Sequence, residues 1–157
     1  MFVKDYMLDN VCTISPDSTV YDALQIMVDK KTNGLVVVDN TTKEIAGTVS
    51  SFTIAKAIIP DFLKDDPNNS IYEAEGVFDE YAKKASSVKI EEVMCKDVHI
   101  LTDDDAMIEA AAFSTHADQR LMPVVKKGTN QIVGIVTRTS IKNAYYQAIK
   151  NSKDKVK

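Results

Sequence analysis

The chain of 157 residues has no apolar run longer than four, Leu35–Val38 and Ala110–Phe113 being the extremes, so nothing approaches the ~20 residues of a membrane span. Cysteine is scarce, with only Cys12 and Cys95. The start, MFVKDYMLDN, lacks the basic, apolar and small-residue order of a secretory leader. A cytoplasmic location is the expectation, and with it two reduced thiols. Arginine is scarcer than its class suggests: Arg120 and Arg138 are the only two among 19 basic residues, against 23 acids, for a net charge of −4. That balance argues against nucleic-acid binding, which needs a concentrated positive face. Aromatic residues make up 7%, too few outside a core to stack single-stranded bases.

The usual catalytic signatures are missing as well. There is no Walker-type phosphate loop and no Gly-x-Ser-x-Gly elbow. His99 and His116 have no ligand-like spacing to each other or to a cysteine. His99 reads as an ordinary strand position and His116 as a helix end. Asp103-Asp104-Asp105 could attract a hard cation, but three consecutive acids point in different directions, so helix capping is the expected role and no metal site is read. An enzyme is the least supported class.

What is present is an internal duplication. Shifted by 87 positions, residues 3–54 lie on 90–141 without a gap, and 11 of the 52 aligned positions are identical. Met7 meets Met94, Val11 meets Val98, Ala23 meets Ala110, Gly47 meets Gly134 and Ile54 meets Ile141. Each copy repeats one series of signals. A short strand (11–14; 98–101) precedes a capped helix start, Ser15–Thr19 or Thr102–Asp105. Val20, Leu24, Met27 and Val28, and again Met107, Ala110, Ala111 and Ser114, then mark a helix face. Two strands joined by a polar turn follow (35–38 and 45–49; 121–125 and 132–136). Ser50 and Thr137 are placed to cap a closing helix, which stops before Pro60 in the first copy and runs through Ile149 in the second. Each copy is β-α-β-β-α, giving an α+β fold. Gly47 and Gly134 suit close strand packing.

The expected organisation is a first motif at 1–59, an insert at 60–89, a second motif at 90–150 and a disordered tail at 151–157. In the insert, Ile71, Ala74, Phe78, Tyr81 and Ala85 form one helical stripe. The stripe either packs on its own module or docks a partner.

The pairing of Leu-Val-Val-Val-Asp39 and Ile-Ala-Gly-Thr-Val-Ser50 with Leu-Met-Pro-Val-Val125 and Ile-Val-Gly-Ile-Val-Thr137 closely resembles a tandem cystathionine-β-synthase (CBS) domain pair. The resemblance covers both repeats and leaves out the insert. It implies a stand-alone, non-catalytic regulatory module: two motifs packed with pseudo-twofold symmetry, a homodimer, and clefts that bind AMP, ADP, ATP or S-adenosylmethionine as regulatory ligands. It implies a protein target that reads the bound state, with no cofactor beyond that ligand. The alternative is a ligand-independent dimerisation scaffold.

Carried over by position, the resemblance puts Thr13 and Ile14 beside the base, Asn33, Gly34 and Leu35 at the second strand, and Ser50 at the phosphate. The second copy supplies Ile100 and Leu101, then Arg120, Leu121 and Met122, then Thr137 and Arg138. Where the family usually has a ribose-binding carboxylate stand Thr53 and Ser140. A hydroxyl lacks the charge assistance of an ionised acceptor. Both arginines fall on basic-contact positions of the second copy, and their planar forks suit phosphate. The second copy is therefore expected to supply the main anion contacts.

Overall fold

The computed structural model describes residues 1–68, 76–116 and 119–155. They form two compact units, residues 12–96 (the first-repeat unit) and residues 1–11 with 97–157 (the second-repeat unit). Each contains a three-stranded sheet flanked by helices. In the first-repeat unit β1 (Thr13–Ile14) runs parallel to β2 (Gly34–Val38), which pairs antiparallel with β3 (Ile45–Ser50). The second-repeat unit repeats this with β4 (Leu101–Thr102), β5 (Leu121–Val125) and β6 (Ile132–Thr137). The helices are α1 (Val20–Lys30), α2 (Ser51–Ile58), α3 (Asp61–Asp65), α4 (Val77–Ala85), α5 (Ile90–Val93), α6 (Met107–Phe113) and α7 (Arg138–Asp154).

Local chemistry accounts for most boundaries. Thr19 caps α1 through a reciprocal box: the Asp22 N–H donates to Thr19 Oγ1 at 3.2 Å, and the Thr19 N–H donates to Asp22 Oδ2 at 2.9 Å. Lys31, at φ 53°, ends the helix in the left-handed region. The β2–β3 turn is held by Asp39, whose carboxylate accepts from the Thr41 and Thr42 N–H groups. Those backbone bonds, Thr42 first, keep its carboxyl below the usual carboxylate range.

Three expectations need correction. Val28 was placed on the buried face of α1, yet it is 74% exposed; the inward positions are Val20, Ala23 and Met27, and Val28 lies a further ~100° round from Met27. Asp103–Asp105 do not cap α6. Asp105 Oδ2 accepts from the Thr102 N–H at 2.6 Å, Asp103 Oδ1 accepts from the Lys127 N–H, and Asp104 pairs with Lys4 at 3.0 Å, while the α6 N-cap is Ala106. Residues 151–154 are helical rather than a disordered tail, because α7 runs unbroken to Asp154 with Lys153 in its last turn, where a cation suits the helix dipole. In the insert, Ile71 and Ala74 lie outside the described residues. Of the remaining stripe, Ala85 is buried on α4 and Phe78 is 74% exposed.

The packing units do not follow the order of the repeats. Val3, in a 3₁₀ turn, is fully buried in the core of the second-repeat unit with Leu101, Met107, Met122 and Val136. Its repeat counterpart Ile90 is fully buried in the first-repeat core with Val20, Leu35, Val49 and Ile54. Leu8 pairs antiparallel with Ile135 on β6, with backbone bonds of 2.8 and 2.9 Å, and Cys95 pairs the same way with Thr48 on β3, at 2.8 and 3.0 Å. Each repeat's leading segment therefore completes the other repeat's unit. Lys4 adds an ion pair with Asp104; this bond raises the Lys4 amine and lowers the Asp104 carboxyl, although exposure keeps its energy small.

Cys12 and Cys95, neither in a disulfide, lie on opposite edges of one sheet: Cys12 O accepts from the Val36 N–H on β2, Val36 faces Thr48 on β3, and Thr48 pairs with Cys95. Three strand spacings, roughly 14 Å, exclude a disulfide between them.

The two repeat-matched glycines admit these edge segments. A Cβ on Gly134 would lie 2.9 Å from Leu8 O and 2.7 Å from Met7 Sδ, and one on Gly47 would overlap Cys95 O. A methionine side chain can move aside, but a ladder carbonyl cannot. Gly47→Ala and Gly134→Ala are each expected to destabilise the fold by about 1–3 kcal/mol. Urea unfolding would measure this, and an unchanged midpoint for either variant would refute the close approach.

Candidate ligand-binding site

The antiparallel registers bring the end of β3 beside the start of β2, and the end of β6 beside the start of β5. Gly34 faces Ser50, and the Ser51 N–H donates to Asn33 O at 3.1 Å. Leu121 faces Thr137 as the last pair of the ladder; Arg120 directly precedes β5, and Arg138 directly follows β6 as the first residue of α7. Thr13, opposite Val36, lies on the adjoining strand, and Ile100 leads into β4. Thr13, Asn33, Ile100 and Arg138 are exposed, and Gly34, Ser50, Thr53, Arg120 and Thr137 are half-buried. Ile14, Leu35, Leu101, Leu121 and Met122 are buried core residues. They shape the sheet end from beneath.

Ser50 and Thr137 are the N-caps of α2 and α7, as their hydroxyls suggested. Thr53 and Ser140, where the resemblance leads one to expect carboxylates, are the third residues of those helices. Thr53 Oγ1 accepts from the Ser50 N–H at 2.7 Å and donates to Ser50 O at 2.9 Å, while the Thr53 N–H donates to Ser50 Oγ at 3.3 Å. Ser140 Oγ accepts from the Thr137 N–H at 3.2 Å, and Ser140 is only 1% exposed. Both hydroxyls are engaged in helix capping, and that of Ser140 is closed off from solvent.

One positioning residue was not anticipated. Gln119 is buried; its Nε2 donates to Asp97 O at 2.5 Å and its Oε1 accepts from the His99 N–H at 3.1 Å, which ties the approach to β4 to the residue before Arg120. The repeat alignment gives no sign of this, because Gln119 falls on Thr32, whose hydroxyl instead bonds the backbone of Gly34 two residues on. His99 precedes β4 rather than lying within it. Its ring stacks on Phe113 at 3.5 Å with planes 10° apart, and its Nε2 lies 3.0 Å from Glu109 Oε1. Among the described residues no group of His, Cys, Asp and Glu could hold a metal ion, and no helix is long and apolar enough to cross a membrane.

The CBS domain pattern matches this sequence twice, at residues 3–60 and 90–147. The chain belongs to the CBS domain family. It is 26% identical over 153 residues to the chloroplastic CBS domain-containing protein CBSX2 of Arabidopsis thaliana, covering 92% of this chain and 63% of that protein. It is also 26% identical over 140 residues to a homoserine O-acetyltransferase of Methanohalobium evestigatum, covering 89% of this chain but only 23% of that protein. This CBS pair thus spans less than two thirds of either relative. Among solved structures, Arabidopsis CBSX2 superposes with a TM-score of 0.70 at 23% identity, over 95% of this chain and 96% of that one. The CBS pair of protein MJ0100, solved with 5′-methylthioadenosine and S-adenosyl-L-methionine, gives 0.69 at 22% identity, over 94% and 98%. CBSX2 has also been solved in complex with AMP.

The capping box of α1, with Asp at the third helical position, shows that an acid can take the place of Thr53. Thr53→Asp is expected to stabilise α2 by about 0.3–1 kcal/mol, through the helix dipole as well as the cap. A melting temperature below that of the parent protein would refute the assignment of Thr53 to the cap.

Proposed function

We propose that this CBS pair is a non-catalytic regulatory module of the cytoplasm that binds an adenosine-containing ligand of the AMP, ADP, ATP or S-adenosylmethionine class and signals to a protein target. The observation that carries the reading is the placement of the chain's only two arginines. Arg120 directly precedes β5 and Arg138 is the first residue of α7, each adjoining the facing pair Leu121 and Thr137, where the helix dipole is already positive. A phosphate at that helix start meets the N-terminal amides of α7 together with guanidinium groups whose planar forks suit it. Within the same unit Ile100, exposed just before β4, offers apolar surface to a base. The AMP complex of CBSX2 and the adenosyl complexes of MJ0100 support the ligand class.

The same reading includes a homodimer. Tyr21 and Val28 on α1, Ile108 on α6, and Tyr145 and Ile149 on α7 are large apolar side chains left in solvent, as on surfaces that associate. The insert, with Phe62 and Phe78 exposed on α3 and α4, is the surface we assign to the target.

Calorimetric titration with AMP, ATP and S-adenosylmethionine tests the site. Arg120→Ala/Arg138→Ala is expected to weaken nucleotide binding at least about tenfold, since each charge-assisted bond contributes roughly 1.5–3 kcal/mol. Equal affinity in parent and variant would end the role of the arginines. Thr53→Asp is expected to tighten binding by restoring an ionised acceptor near the ribose. The occupied hydroxyls of Thr53 and Ser140 favour a second reading, a scaffold that needs no ligand. A ligand at a hundredfold excess over its Kd raises stability by about 2.7 kcal/mol. No thermal shift with AMP, ADP, ATP, S-adenosylmethionine or NAD would decide for the scaffold.

A further inference from the structure

Four positions differ together between the repeats, and in the second-repeat unit their side chains meet. Cys12, Asp22, Ile26 and Thr32 of the first repeat correspond to His99, Glu109, Phe113 and Gln119 of the second. In the first copy these residues serve separate ends: Asp22 closes the capping box of α1, Thr32 bonds the backbone of Gly34, and Cys12 and Ile26 pack on the core. In the second copy they form one connected set. The α6 N-cap is Ala106, whose side chain has no oxygen to complete a capping box, and Glu109, the third residue of that helix, reaches His99 instead. Glu109 Oε1 lies 3.0 Å from His99 Nε2, the His99 ring lies flat on Phe113, and the His99 N–H donates to Gln119 Oε1 at 3.1 Å. Gln119 Nε2 completes the set by donating to Asp97 O.

These contacts hold the two backbone stretches that carry the proposed ligand contacts. His99 directly precedes Ile100, and Gln119 directly precedes Arg120. An ionised carboxylate only accepts, so Nε2 carries the proton of the neutral ring and Nδ1 takes the second one. That second proton acts three times with one sign. It makes the Glu109 contact an ion pair, it sets a cation over the face of Phe113, and it offsets the Glu109 charge that opposes an anion nearby. With side chains 26% and 41% exposed, His99 and Glu109 exchange protons with solvent. The other charged or titratable groups on the segments packed there are Asp97 on the approach to β4, His116 beside Phe113 with ring centroids 6.1 Å apart, and Arg120. Asp118, next to Gln119 in the sequence, lies outside the described residues.

We infer that His99 is a proton-operated positioning residue: its protonation tightens the Glu109–His99–Gln119 set behind Ile100 and Arg120, so that the second repeat binds a nucleotide phosphate more strongly as the pH falls through the imidazole range. This rests on the nucleotide reading of the arginine site and adds its regulation. Imidazole is the side chain whose charge changes between about pH 5 and 8. Linkage makes the effect reciprocal, so a bound phosphate favours proton uptake at His99.

Calorimetric titration of ATP into the parent protein and His99→Gln, at about pH 6 and about pH 8, tests this. Ionisation of the ATP phosphates is common to both proteins and cancels in the comparison. The gain in affinity on going to the lower pH is expected to be at least about threefold larger in the parent, the scale of one unit charge in a partly exposed site. A second measurement needs no variant. The chain has only two histidines, and NMR of the imidazole protons follows both in the parent protein. ATP is expected to raise the pH at which the His99 resonance titrates and to leave that of His116 in place. An equal pH dependence of affinity in parent and variant overturns the inference, and so does a His99 titration that ATP leaves unmoved; either result keeps the nucleotide reading. Absence of ATP binding at both pH values removes the reading and the inference together.

Discussion

The seam along the outer edge of β3 and β6 is the constraint on which each unit depends. A three-stranded sheet leaves a row of unpaired amides and carbonyls at its edge. Here Cys95 covers that edge at Thr48 and Leu8 covers it at Ile135, with matching pairs of backbone bonds. The covering segments also deliver a core residue apiece, Ile90 and Val3, both fully buried. Fully burying a side chain of this kind contributes about 1.5–3 kcal/mol. Neither repeat is complete without a segment from the other, so the duplication is also a mutual dependence. Gly47 and Gly134 follow from it, because only a residue without Cβ leaves room for a neighbouring backbone at that distance.

Duplication supplies the same scaffold twice, and divergence then gives its two copies different chemistry. At corresponding strand ends, Asn33 and Ser51 are neutral and share a backbone hydrogen bond, while Arg120 and Arg138 concentrate positive charge at a helix start. Thr53 and Ser140 serve the caps of α2 and α7. The approach to the sheet diverges as well, since Cys12 stands in the first copy where His99 meets Glu109 and Phe113 in the second.

Much of this was legible in the sequence. The 87-residue register, the strand pairs and the caps at Ser50 and Thr137 are local or repeated signals, and each depends on neighbours a few positions away. Readings that depended on which way a side chain turned fared worse. Val28 fits an apolar period but lies one step past the buried face. Asp103–Asp105 have the chemistry of caps, but their oxygens are taken up by Thr102, Lys127 and Lys4. His99 reads as a strand residue until Phe113 and Glu109 are seen to claim its ring.

The amino-acid order alone determined that one β-α-β-β-α unit is built twice, since apolar periodicity and capping chemistry act within a turn or a strand. Only the tertiary structure decided that residues 1–11 belong with 97–157, that Thr53 and Ser140 are committed to their helices, and that Glu109, Phe113 and Gln119 converge on His99. Those facts depend on distance between residues far apart in the chain. Edge pairing, close backbone approach and side-chain contact are set by what meets in space, and identical local signals are compatible with more than one partner.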